Sequence, residues 1–222
     1  MINFKIISAI ALTAAVVAIV PMGNAEAALI TGVTASTDMG KVDLPGYDIQ
    51  NVVNSSGLDS LSLTATHAGG SASNTWDSSL GIGTGTISFN LNGQYSLQGF
   101  SVWNYNYGYE LSVKEVNIST SKDGITYTPL SGAPTQFAQG ANGAAEAPEQ
   151  FAFAPTLANY VRFSVLSNYW GGYPLTGLSE VQFDGTPATA PTAVPTPALL
   201  PGLIGLGVAA LRKRKAEAAG EA

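Results

Sequence analysis

Cysteine is absent from this 222-residue chain, histidine occurs once, and only 11% of the residues are charged. Without cysteine there is neither a disulfide nor a thiolate nucleophile, so stability must come from a packed core or a bound metal. A single histidine, no G-x-S-x-G and no P-loop leave nucleophilic and phosphoryl-transfer chemistry without their usual residue sets. Glu110 and Glu115 flank a predicted strand, but nothing marks them as the paired carboxylates that a glycosidase needs. The chain reads as a non-enzyme. Positive charge is also scarce. Between residues 28 and 184, Lys41, Lys114, Lys122 and Arg162 stand against twelve carboxylates from Asp38 to Asp184, a net charge of −8. Nucleic acid is excluded as a partner, because neutralising phosphates takes clustered Lys and Arg.

What the chain has instead is alternation. Ile87, Phe89 and Leu91 alternate with Ser88 and Asn90. The pattern repeats at Phe100 and Val102, at Val116 and Ile118, at Val161, Phe163 and Val165, and at Val181 and Phe183. A period of two, interrupted by Gly, Asn, Asp and Pro, marks half-buried strands. Asn92-Gly93 and Asp123-Gly124 predict hairpin turns. No amphipathic helix and no fixed-period repeat is visible between Leu29 and Asp184. The expectation is an all-β antiparallel sandwich or jelly roll over residues 28–184. Trp103 or its neighbour should face inward on a strand, and Trp76 should pack beneath the sandwich. Roughly 160 residues are enough for this, since a domain of that size buries about 70% of its unfolded surface.

Both ends differ from the middle. Lys5, the apolar run Ile6 to Val20, the breakers Pro21 and Gly23, and the small residues Ala25 and Ala27 around Glu26 form the pattern of a secretory signal. The run is shorter than the ~20 apolar residues of a membrane span, so residues 1–27 read as a signal helix cleaved after Ala27. At the other end, 185–197 ("GTPATAPTAVPTP") is a Pro/Thr/Ala linker without core periodicity. Ala198 to Leu211 carries no charge, and as a helix rising about 1.5 Å per residue it reaches roughly 20 Å. Arg212, Lys213, Arg214 and Lys215 follow at once. Cationic residues favour the cytoplasmic side of a membrane, which places the middle of the chain outside, in agreement with the signal.

Pro195, Thr196, Pro197 and Ala198, a Leu/Gly-rich span and the basic cluster resemble, in that order, the PTPA-type CTERM sorting signal, a cyanobacterial relative of PEP-CTERM tails. The resemblance implies a hydrophobic helix over 195–215 held in the membrane and an exosortase-type processing enzyme as partner. It also implies delivery to the cell surface or extracellular matrix. The polar tail 216–222 ("AEAAGEA") departs from the family pattern. No LPxTG motif points to a conventional sortase.

The segments "ISFNLNGQYSLQGFSVWNYNY", "VKEVNISTSKDGITYTPL", "ANYVRFSVLSNYWGG" and "TGLSEVQFDG" occur in an order that resembles discoidin (F5/8 type C), galactose-binding-like domains, over about Ile30 to Gly185. The implied fold is an eight-stranded jelly-roll sandwich whose loops bind sugars, lipid head groups or proteins. Lectins of this fold clamp Ca²⁺ between an early loop and the last strand. The resemblance assigns Asn51, Asn54 and Ser56 in "QNVVNSSGLDS" to that loop and Thr64 to a further loop oxygen. It assigns the Ser179 carbonyl and the Glu180 carboxylate in "LSE" to the strand. Ca²⁺ takes six to eight oxygens, many from carbonyls. Asn54 stands where the family has Asp, which removes one formal charge. His67 is spaced from Thr64 like the sugar-touching His of fucose-binding lectins, but "NYNYGYE" lacks their arginines, so fucose is not implied.

Aromatic residues gather in "VWNYNYGYE" and "SNYWGGYP". Trp103, Tyr105, Tyr107, Tyr169, Trp170 and Tyr173, with Asn104, Asn106 and Asn168 beside them, could form a flat face for a pyranose ring with carboxamides for its hydroxyls. Such clusters also serve protein contacts. The expected function is an exported, surface-sorted, non-catalytic module for extracellular polysaccharide or glycoprotein, with calcium-stabilised loops. The alternative is a structural or adhesive envelope or matrix protein without a sugar pocket; an envelope glycoside hydrolase would need two convergent carboxylates in a cleft. Loop aromatics packed away beneath the surface favour the adhesive protein, and a concave cluster around His67 favours the sugar module.

Overall fold

The alternating segments become strands. In a computed structural model that describes residues 28–188, the strands are β1 (Ala28–Leu29), β2 (Thr34–Thr37), β3 (Trp76–Asp77), β4 (Gly85–Asn104), β5 (Val116–Ser121), β6 (Thr128–Pro129), β7 (Glu149–Val165) and β8 (Gly177–Pro187). Their order in space is β1-β8-β4-β7-β5-β6, with β2 added on β4 and β3 on β8. This is the all-β architecture expected from the sequence. The signal helix with its Ala25 and Ala27 cleavage site, the end of the linker, the sorting segment 195–215 and the tail 216–222 lie outside the described residues. Among the described residues, no helix is long and apolar enough to cross a membrane.

Two long strands organise the rest. β4 and β7 pair antiparallel from Gly85↔Val165 to Val102↔Glu149. The register slips between Asn90↔Tyr160 and Tyr95↔Ala158, so Leu91, Asn92, Gly93 and Gln94 lie opposite Asn159 alone. Extra residues on one strand of a pair bend that strand and increase its twist, and this bulge turns the ribbon. The expected Asn92-Gly93 hairpin is therefore corrected. Asn92 does take the left-handed conformation such a turn uses, with φ 57°, and its N–H meets Asn90 Oδ1 at 2.9 Å. The chain nevertheless continues along β4 instead of reversing. The Asp123-Gly124 turn does reverse the chain, and β5 pairs with β6 through Ser119↔Pro129 and Thr120↔Thr128.

Every apolar residue picked out by alternation is buried, and Trp76 and Trp103 are fully so. Their indole N–H groups reach the carbonyls of Gly40 at 2.9 Å and Ala65 at 3.0 Å, as a buried donor requires. The centre of the core is aromatic. Phe163 on β7 meets Phe89 edge-on at 5.0 Å and lies 5.5 Å from both Phe100 and Phe137; Phe183 on β8 meets Phe89 at 5.1 Å. Edge-to-face pairs at these separations add to the burial of the rings. Phe163→Ala should lower the unfolding free energy by about 3–5 kcal/mol. Urea denaturation followed by tryptophan fluorescence measures this, and an unchanged midpoint would contradict the arrangement.

Candidate functional site

The loops that follow β4 and β7 form one rim. Residues 105–115 and 166–176 run side by side, joined by a bridge between Val113 and Asn168, while Ser112 bridges to Gly177 at the start of β8. Lys114 N–H reaches Ser167 O at 2.9 Å, and Tyr169 N–H reaches Ser112 O at 3.2 Å.

Three asparagines hold the rim in place. Asn104 donates to the carbonyls of Val113 and Ala138, both at 2.7 Å, and accepts from the N–H groups of Tyr105 and Val113. Asn106 donates to Ala68 O at 2.9 Å and Ala144 O at 3.1 Å and accepts from Ser179 Oγ at 3.0 Å. Asn168 donates to Tyr173 O at 2.8 Å and Leu175 O at 2.7 Å and accepts from Trp170 N–H. All three are buried. This corrects the expectation that they present carboxamides to a sugar: their donors are spent on backbone carbonyls of their own and neighbouring loops, because irregular loops offer those carbonyls no ladder partner.

His67 is likewise corrected from a surface contact to an interior residue. It is 0% exposed; its backbone exchanges both bonds with Glu146, and its Nδ1 lies 2.6 Å from Ala68 O. A Cβ on Gly57 would fall 2.0 Å from His67 Nε2, so only glycine lets the loop close over the ring. Burial lowers the pKa of His67 and holds it neutral. No concave cluster surrounds it. Trp103 and Tyr105 are also packed inside. The Tyr105 ring fills the space over Gly177, and its hydroxyl donates to Asp77 Oδ2 at 2.9 Å. Burial pushes the Asp77 carboxyl up to about 6 and raises Tyr105 as well. Tyr169 is half-buried, its hydroxyl donating to Phe137 O at 2.6 Å.

Tyr107, Trp170 and Tyr173 remain at the surface, 53%, 53% and 40% exposed. Trp170 and Tyr173 stack on each other at 4.5 Å and 21°. Beside Tyr173 opens a cavity of about 250 Å³ that reaches Gly83, Thr84 and Ser167. Leu80, Ile82 and Leu166 add exposed apolar surface on the loops bordering it. The loop that carries Leu80 and Ile82 escaped the sequence reading. Its one signal is a pair of apolar residues with no periodic partner inside "SSLGIGTG"; the loop is held to the rim by Gly81 N–H on Pro174 O.

The residues assigned to calcium divide. Glu180 is fully buried on β8, with Oε2 accepting Ser55 N–H at 3.0 Å and Oε1 without any partner. Asn54 donates to Asn51 Oδ1 at 3.3 Å and accepts Ser56 N–H at 2.9 Å, so the loop 51–56 lies against the carboxylate. Burial pushes the Glu180 carboxyl up to about 9. An orphaned carboxylate oxygen facing a loop rich in oxygen donors fits a hard cation. One assignment does not join the cluster: the Thr64 hydroxyl is exposed beside Ser62 Oγ at 3.1 Å. The Ser179 hydroxyl turns to Asn106, whereas the atom assigned to the ion is its carbonyl. Among the described residues, no three His, Asp or Glu side chains converge on a metal position.

The family model of the F5/8 type C domain matches residues 33–177. Among solved structures, CpGH89CBM32-5 from Clostridium perfringens, in complex with GalNAc-beta-1,3-galactose, is similar with a TM-score of 0.51 at 13% identity, over 70% of this chain and 99% of that one. An F5/8 type C domain from Bacteroides fragilis has a TM-score of 0.49 at 16% identity, over 73% and 99%. A family 89 glycoside hydrolase from Clostridium perfringens has 0.46 at 19% identity over 72% of this chain, which spans 15% of that protein's length. No curated protein matches. The likeness to the first of these is one of fold, and it agrees with the antiparallel strands and the family match. This chain belongs to the F5/8 type C, discoidin-like, domain family.

Proposed function

We propose that this protein is an exported, surface-sorted, non-catalytic module that binds extracellular carbohydrate at its loop rim. The observation that carries this reading is the exposed Trp170–Tyr173 stack beside a cavity and fixed from behind by Asn168. A rigid aromatic face offers apolar contact to a sugar ring with little ordering cost on binding. The similar module from Clostridium perfringens is in complex with GalNAc-beta-1,3-galactose, the class of ligand proposed for this rim. The secretory signal and the PTPA-type tail support export and sorting by an exosortase-type enzyme, with the tail held in the membrane before processing. Trp170→Ala should weaken binding to a glycan array hit at least tenfold, while Tyr107→Ala reports whether the ligand extends along the rim. Undiminished binding by Trp170→Ala would remove the stack from the site.

A calcium ion fits the reading as a structural part. Glu180 and the oxygens of Asn51, Asn54 and Ser56 would hold it, and its charge would balance the buried carboxylate and fasten the early loop to β8. In a chelator the sign of the pH dependence is fixed. Glu180 keeps its proton in the fold up to about 9 but loses it near 4.5 in the unfolded chain, so stability falls as pH rises through that interval. From pH 8 to 9 the slope belongs chiefly to Glu180, because Asp77 and Glu146 titrate lower, at about 6 and about 7. The thermal midpoint in chelator should therefore drop from pH 8 to 9, and Glu180→Gln should flatten the drop. Added Ca²⁺ should raise the wild-type midpoint at pH 8 and leave that of Glu180→Gln unmoved; equal shifts in both would place the ion elsewhere.

The second reading, an adhesive envelope or matrix protein, draws support from the burial of His67, Trp103 and Tyr105. The apolar surface of Leu80, Ile82 and Leu166 around Trp170 also supports it. Silence across a glycan array with calcium present, together with loss of matrix retention in Leu80→Asp, would favour it over the sugar module.

A further inference from the structure

Among the described residues, the domain's one arginine donates no hydrogen bond to a carboxylate. Arg162 points outward from β7 between the buried Val161 and Phe163. Its guanidinium lies 3.6 Å over the ring of Tyr127, and among the described residues its one hydrogen bond runs from Nε to Ser88 Oγ at 3.4 Å. The register explains the setting. Ser36 pairs with Ser88, Ser88 with Arg162, and Asn90 with Tyr160, so these side chains share the outer face of β2, β4 and β7. The turn after β5 places Tyr127 and Gly124 beside that face, bordering an open cavity of about 490 Å³. It lies on the sheet, lined by none of the rim residues.

A guanidinium offers five N–H donors in a fixed fork that matches a carboxylate two-on-two. Here stacking on Tyr127 and the Ser88 contact fix its plane, which leaves the Nη groups for an outside acceptor. Asp123 also lines the cavity, but its Oδ1 accepts from Ile125 N–H, Thr126 N–H and Ser121 Oγ, all at 2.8 Å. These bonds hold the Asp123 carboxylate down to about 2. It is thus engaged by its own hairpin. Around the arginine, Ser36, Asn90 and Tyr160 supply neutral donors and acceptors suited to hydroxyls.

We propose that the cavity on the outer face of β2, β4 and β7 is a second glycan subsite, in which Arg162, held flat on Tyr127, receives the carboxylate of a uronate residue in an acidic polysaccharide. The subsite rests on the reading of the chain as a carbohydrate-binding module, but it uses different residues from the rim. The full chain is titrated calorimetrically with trigalacturonate and with its carboxyl-reduced form, which differ only at the carboxylates. Trigalacturonate should bind at least tenfold more tightly. Arg162→Gln and Tyr127→Ala should each lose that preference at an unchanged thermal midpoint, Arg162→Lys should lose most of it, and Trp170→Ala should keep it. Equal binding of the two sugars, or full preference in Arg162→Gln, overturns the subsite. Loss of preference in Trp170→Ala alone moves the carboxylate to the rim and leaves the rim reading standing. Binding of a poly-glutamate peptide through Arg162 without trigalacturonate binding also overturns the subsite in favour of a protein partner.

Discussion

The bent ribbon of β4 against β7 is the constraint on which the remaining structure depends. With no disulfide to close loops, the two faces of this domain are joined by strands that pass from one to the other. The ladder slips twice, opposite Asn159 and opposite Gln98, and extra residues of this kind bend a strand pair. Phe89, Phe100 and Phe163 project into the same interior, where Phe89 and Phe100 also meet Phe183 from β8. The bend also brings the loop after β4 beside the loop after β7, so the rim is a consequence of the ribbon. A one-residue error in its register would turn Val161 and Phe163 outward and Arg162 inward, losing core and surface chemistry together.

Behind the rim lies an interior of polar groups that behave as fasteners. Asn104, Asn106 and Asn168 each bind two carbonyls, those of Asn106 and one of Asn104 from segments distant in sequence and those of Asn168 from its own loop, and Tyr105 caps Asp77. The three carboxamides are fully engaged, and a satisfied network of this kind specifies one loop arrangement. The His67 ring belongs to this interior, closed over by Gly57. The chemistry left to the rim belongs to side chains that project beyond the network, namely Tyr107, Trp170 and Tyr173.

Alternation made the core legible because a strand with one buried face must repeat every second residue, and each of Ile87, Phe89, Phe163 and Phe183 obeys that. Asn92-Gly93 misled because the left-handed backbone of a tight turn and of a bulge carries the same residue types; only the partner strand distinguishes them. The asparagines misled for a related reason. A carboxamide has the same donors and acceptor whether it meets a sugar hydroxyl or a carbonyl two loops away, and one sequence does not contain the distance between those loops. Glu180 was legible as special through its place in "LSE", whereas its burial depends on β8 lying against the loop 51–56.

The buried carboxylates show where the fold accepts a penalty and where it is positioned to relieve one. Asp77, Glu146 and Glu180 each retain an oxygen without a partner, and each meets hydroxyl or backbone N–H donors in place of a cation. Burying a carboxylate this way is unfavourable unless it stays protonated or acquires a counter-charge. For Asp77 the Tyr105 hydroxyl gives partial relief, and for Glu146 the Ala141 N–H does so. Glu180 receives the Ser55 N–H from a loop that also carries the carboxamides of Asn51 and Asn54 and the hydroxyl of Ser56. Arg162 is the mirror case, a charge kept at the surface in one cavity with Asp123, whose carboxylate is engaged by its own hairpin. The buried carboxyl and the surface guanidinium are thus the two positions at which the proposals above place a partner from outside the chain.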